Sequence, residues 1–111
     1  MDHRIDLPQG TLDLLILKTL ALEPQHGWAI SERIQQVSND ALKVQQGSLY
    51  PSLHRLERRG WISGRWVEKT GQRRRRYYRL TPEGRRKLAE QRETWKAFID
   101  TVKAVMGPSR A

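Results

Sequence analysis

A chain of 111 residues is one domain's length and supports a single modest core; its 37% hydrophobic content suits a domain that shares part of that core with a partner. It carries no cysteine, which excludes disulfides, thiol nucleophiles and thiolate metal sites together and fits a reducing interior. The formal charge of +9 is unevenly spread: residues 1–40 hold three Lys/Arg against six Asp/Glu, residues 41–80 eleven against two, and residues 81–111 seven against four. The positive charge therefore forms a face in the middle third rather than a uniform solubilising coat.

In chain order, Gly10 and Thr11 open a first helix. Its apolar residues are Leu12, Leu15, Ile16 and Leu20 and, on a second side, Leu14, Leu17 and Ala21. A helix apolar on nearly all sides is buried against two surfaces. The run Leu12–Leu22 is too short to span a bilayer and carries Asp13 and Lys18. The acidic start Met1-Asp2-His3 lacks the positive region of a signal peptide. A soluble, cytoplasmic protein with no membrane partner is expected. Pro24 ends the first helix, because the residue before a proline is disfavoured in helical geometry. Gln25-His26-Gly27 reads as a short turn, and a second helix, about Trp28–Val37, presents Ile30, Ile34 and Val37 at helical spacing.

Ser38-Asn39-Asp40 breaks that helix. A third is predicted from about Ser48 to Arg59, with Ser48 as N-cap, Pro51 in the first turn and Gly60 as a left-handed stop. Trp61–Glu68 and Arg73–Leu80 are rich in β-formers and are joined by Lys69-Thr70-Gly71-Gln72, the pattern of a hairpin. Thr81 caps and Pro82 opens a final helix running to about Met106, where Gly107-Pro108 stops it. The expected fold is mainly α with a β-hairpin wing: a winged helix-turn-helix followed by a long C-terminal helix.

Two segments carry chemistry. On the third helix Leu49, Leu53 and Leu56 form the buried stripe. Pro51, His54, Arg55 and Arg58 fall opposite it, with Ser48 and Tyr50 on the flanks. An outward face of this kind can reach base edges, and Arg pairs two-pronged with guanine. Ser48 at the helix N-terminus would anchor a phosphate. The hairpin brings Lys69, Arg73, Arg74, Arg75 and Arg76 beside that helix. Alternate strand residues face opposite ways, so about two of the four arginines should meet the nucleic acid while the others stay solvated or pair with Glu68.

On the final helix Leu88, Trp95 and Val102 recur every seven residues, with Phe98 and Val105 three positions later and Ile99 and Met106 beside them. That is a helix–helix seam, and its expected partner is a second copy of the chain. Residues 1–80 are thus expected to bind double-stranded DNA and residues 81–111 to make the homodimer, within one compact domain. Trp95 is also the candidate for stacking on a ligand. The three histidines, His3, His26 and His54, stand apart, and there are no paired carboxylates, phosphate-cradling glycine loop or metal-ligand spacing. Neither an enzyme nor a cofactor or metal site is expected. A winged module that grips RNA or docks an acidic protein is the alternative.

The stretch Gly47-Ser48-Leu49-Tyr50-Pro51-Ser52-Leu53-His54-Arg55-Leu56-Glu57-Arg58-Arg59-Gly60-Trp61-Ile62 resembles the G-x-L-Y-P-x-L-x-R-L-E-x-x-G-x-I pattern of the PadR family of bacterial transcriptional regulators. Arg76-Tyr77-Tyr78-Arg79-Leu80-Thr81-Pro82-Glu83-Gly84 is similar to the family's R-x-Y-x-L-T-x-x-G, and Gly10-Thr11-Leu12 and His26-Gly27 also match. The likeness covers about residues 8–105. Where the family often has an aromatic then Glu after His-Gly, Trp28 is here followed by Ala29. The resemblance implies a homodimeric repressor on an inverted repeat in a promoter. By the same likeness Ser48, Tyr50, Pro51 and His54 would enter the major groove, and Lys69 to Arg75 would form the wing. The single C-terminal helix is similar to the shorter subgroup, some of whose members bind flat aromatic effectors between subunits near the position of Trp95.

Overall fold

The computed structural model describes residues 9–107. The readings of Met1-Asp2-His3 and of Pro108 lie outside that range. In chain order the elements are α1 (Gln9–Leu22), β1 (Gln25–His26), α2 (Gly27–Val37), α3 (Gln46–Arg58), β2 (Ile62–Val67), β3 (Arg75–Leu80) and α4 (Pro82–Met106). The strands form one antiparallel sheet in the order β1-β3-β2.

The core forms where α1 lies against α2, α3 and the start of α4. Ile16 and Leu17 of α1 are wholly buried, as are Ile30 of α2 and Leu49, Leu53 and Leu56 of α3. The sheet adds Ile62 and Tyr78, and α4 adds Leu88. The all-round apolar pattern of α1 is explained by this central position, although Leu22 at its end is exposed.

Several boundaries differ from expectation. Gln25 and His26 are a short strand, paired with Tyr78 and Tyr77, rather than a turn. Helix α3 begins at Gln46, so Ser48 is inside the first turn and is not the N-cap. That place falls to Gln45, whose carbonyl accepts from the Ser48 and Leu49 amides while its side chain makes no cap bond. Pro51 accordingly lies in the helix interior, where its ring leaves the Gly47 carbonyl without an intrahelical N–H. Gly47 is exposed, so water can satisfy that carbonyl. The hairpin connection is longer than predicted: β3 starts at Arg75, leaving Arg73 and Arg74 at the tip rather than in the strand.

The α4 boundaries agree with the sequence reading. Thr81 Oγ1 accepts from the Gly84 amide at 3.0 Å, Pro82 opens the helix, and Gly107 ends it at φ 72°. Glu83 in the first turn is gripped by Arg86, whose guanidinium hydrogen bonds hold the Glu83 carboxyl below the usual range. Leu88, expected in the dimer seam, instead packs into the chain's own core at 6% exposure, because the first turns of α4 lie on α1. Beyond it the helix leaves the core. Trp95, Phe98, Val102, Val105 and Met106 are exposed, the last two at 80% and 77%, while Ile99 is half-buried.

Candidate nucleic-acid interface

The exposed side of α3 and the β2–β3 wing enclose a groove lined by His26, Gly27, Trp28, Tyr50, His54, Trp66, Tyr78 and Arg73 to Arg76. Sheet register explains how the wing contributes. Trp66 faces Arg76 and Gly64 faces Tyr78, so these four share the side turned toward α3. Tyr78 continues the core, and burial pushes its phenol pKa up. Trp66, two pairs closer to the tip, is 55% exposed, with the Arg74 guanidinium over its ring at 4.6 Å.

The predicted reading residues divide into three groups. Ser48, Pro51, His54 and Arg58 are exposed on α3. Tyr50 is 43% exposed with the hydroxyl end of its ring against Gly27 at the start of α2; a Cβ there would meet that ring at 3.2 Å, so the absence of a side chain lets the ring settle. Arg55 is the correction. Its guanidinium donates to Asp13 Oδ1 at 2.6 Å and to Ser52 Oγ at 3.1 Å, with only 18% of the side chain exposed and 8% of Asp13. An arginine committed to a buried carboxylate on α1 ties two helices together and does not project from α3.

The wing residues divide likewise. Arg73, Arg74 and Arg75 are exposed, and Lys69 lies over the Tyr77 ring at 5.3 Å. Arg76 is committed: its Nη2 donates to Glu57 Oε2 at 2.6 Å, joining the base of the wing to α3. The expected partner, Glu68, has no such role. Glu57 precedes Arg58 on α3, so the one acidic residue of that helix is neutralised within the chain.

His26, Trp28 and Trp66 were missed as groove residues. The signal for His26 was its place before a helix. Its backbone is extended and its Nδ1 accepts from the Ala29 amide at 3.3 Å, making it the N-cap of α2. Its ring stands edge-on to Tyr77, with centroids 5.3 Å apart. Partial burial, then the nearby charges of Arg75 and Lys69, hold its pKa below the ordinary imidazole value, against a smaller opposite pull from Glu32. The folded state thus binds fewer protons than the unfolded chain below about pH 6.5, and stability rises with pH through that window. Acidification from pH 7 through 6.5 toward the lowered folded pKa is expected to reduce the melting temperature. His26→Asn, which keeps a capping oxygen without a titrating ring, should flatten that part of the profile. Equal acid sensitivity in both proteins would remove His26 as its source.

This geometry can be set beside known proteins. The model of the transcriptional regulator PadR-like family matches residues 16–90. The chain belongs to that family. It is 40% identical over 102 residues to the transcriptional regulator Rv3488 of Mycobacterium tuberculosis, covering 92% of this chain and 89% of the relative. A solved transcriptional regulator from Clostridium thermocellum aligns with a TM-score of 0.79 at 31% identity, covering 85% of this chain and 91% of that one. A PadR family transcriptional regulator from Eggerthella lenta gives 0.77 at 32% identity, covering 91% and 86%. The chain is therefore a winged-helix, DNA-binding transcriptional regulator and not an enzyme. No helix among its described residues is long and apolar enough to cross a membrane.

Proposed function

We propose that this member of the PadR-like family is a homodimeric repressor that occupies an inverted repeat in a promoter. One observation carries the reading: a groove lined by exposed arginines and the solvent side of α3 sits on the same chain as a helix whose apolar end is left exposed among the described residues. Residues through Leu80 serve the duplex and α4 serves the second copy. Ser48, Tyr50, Pro51, His54 and Arg58 contact the major groove, while Lys69, Arg73, Arg74 and Arg75 hold phosphates beside it. Pairing of Trp95, Phe98, Ile99, Val102, Val105 and Met106 across a twofold axis would set two α3 helices about 34–36 Å apart, the spacing of successive major grooves. The tilted Trp95 and Phe98 rings, 5.8 Å apart, border a shallow recess with Thr11 and Leu14 of α1. That recess supports a flat aromatic effector held between subunits.

The test begins by selecting bound fragments from the source genome and reading their shared motif, which should be a palindrome. Trp95→Glu with Phe98→Glu should convert dimer to monomer in sedimentation and abolish preference for the two-half operator. Arg73→Ala with Arg74→Ala should weaken operator and random duplex alike and flatten the log–log salt slope by about 0.9 for each phosphate that is no longer neutralised. A wild-type monomer at micromolar concentration, or tighter binding to single-stranded RNA than to any duplex, would overturn the proposal.

A further inference from the structure

At the rim of the groove two N–H groups compete for one lone pair. Arg75 Nη1 lies 2.9 Å from His26 Nε2, and the Ala29 amide points at Nδ1 of the same ring from 3.3 Å. A neutral imidazole has one bare nitrogen and one N–H. If Nδ1 accepts from Ala29 and caps α2, Nε2 carries hydrogen and faces the Arg75 guanidinium donor to donor. If Nε2 accepts from Arg75, the Nδ1 hydrogen faces the Ala29 amide and the cap is lost. A protonated ring satisfies neither contact. The register brings this about: His26 pairs with Tyr77, and Arg75 lies two residues before Tyr77, at the start of β3, on the same face.

An anionic oxygen placed between Nε2 and Nη1 resolves the competition. It accepts from both, lets Nδ1 keep the cap, and needs no proton taken up by the ring. Lys69, which also acts on His26, adds positive charge nearby. The remaining close groups are the Tyr77 ring and Glu32 of α2, and only Glu32 opposes an anion. We infer that His26 and Arg75 together form a binding site for one backbone phosphate diester of the DNA, with His26 acting as a neutral donor through Nε2. This rests on the DNA-binding reading above and adds to it one phosphate-holding residue, His26, that lies outside both α3 and the wing.

The test uses the full-length protein at pH 8 on the duplex recovered by genomic selection and on a random-sequence duplex. His26→Asn retains an oxygen that can cap α2 but is too short to share a phosphate with Arg75. It should lower affinity for both duplexes by about ten-fold per half-site, as expected for losing a hydrogen bond to a charged group. It should leave the salt slope unchanged, because a neutral donor displaces no counterion. Arg75→Ala should lower both affinity and slope, the latter by about 0.9 per half-site. Replacing operator phosphates one at a time by uncharged methylphosphonates supplies the decisive cycle: one position per half-site should weaken the wild type and leave His26→Asn indifferent.

Wild-type affinity in His26→Asn, or a loss that leaves every phosphate as sensitive as before, would overturn the inference while leaving DNA binding intact. A changed salt slope in His26→Asn would overturn the neutral-donor role. Failure of the wild type to bind any duplex would remove both readings.

Discussion

Arg55→Met is expected to lower the free energy of unfolding by about 3 kcal/mol at neutral pH, the lower end of the loss seen when one partner of a buried ion pair is removed. The lower end applies because the Arg55 side chain keeps 18% exposure. Asp13 is the less accessible partner, at 8%, and sits on the central helix α1. Removing the arginine strands that carboxylate. Removing the carboxylate instead, as Asp13→Leu, should cost less, because the long stem of Arg55 can carry its charge outward. Replacing both, Asp13→Leu with Arg55→Met, should recover most of the loss, since an apolar pair needs no desolvated charge. Urea unfolding of the four proteins gives the cycle directly. The folded fraction of Arg55→Met should keep the wild-type ratio of operator to random-DNA affinity. Unchanged stability with a collapsed ratio would return Arg55 to the reading face.

Gly84→Ala is expected to destabilise the fold by about 3 kcal/mol or more, at or beyond the upper part of the range for overpacking a rigid site. A Cβ there would overlap the Trp61 carbonyl oxygen and come within 2.8 Å of its carbon and 2.9 Å of Leu80 Cδ1. Backbone cannot yield as a flexible side chain can, and this backbone is engaged. The Trp61 carbonyl accepts from the Thr81 amide at 3.1 Å, and Thr81 Oγ1 donates to the Gly60 carbonyl at 2.7 Å. The junction of α3 with β2 and the start of α4 would therefore separate together. Gly10→Ala is the control: nothing lies within 4 Å of its Cβ, and its melting temperature should stay level or rise slightly. Similar thermal shifts for the two variants would mean that the contact at Gly84 is not tight.

These two cases show which parts of the molecule the sequence makes legible. The ends of α4 could be placed because Thr81, Pro82 and Gly107 act locally, each through its own backbone preference. The stripe Leu49, Leu53, Leu56 was equally legible, because helical periodicity alone determines it. The start of α3 was not: Ser48 is a better capping residue than Gln45, yet the helix begins earlier without a side-chain cap. β1 was invisible for a related reason. Two residues have no strand pattern of their own and become a strand only through Tyr77 and Tyr78.

Of the candidate site, the basic character and the exposed side of α3 were legible, because residue type and angular position are written in the chain. The loyalties of individual arginines were not. Arg55 and Arg76 differ from Arg58 and Arg74 by a carboxylate reached through tertiary folding, Asp13 in one case and Glu57 in the other. A helical wheel shows where a side chain starts, and a flexible stem decides where its charge ends. Leu88 illustrates the same limit on α4, since its heptad position is right for a seam but the neighbouring α1 claims it first.

The link from Arg76 to Glu57 has a mechanical consequence. It ties the base of the hairpin to the helix it accompanies, so the wing and α3 restrain each other's position. On the homodimer reading proposed above, a promoter whose half-sites are slightly too near or too far apart would be met by adjustment where the two copies join, which would make the far end of α4 the ruler of the assembly.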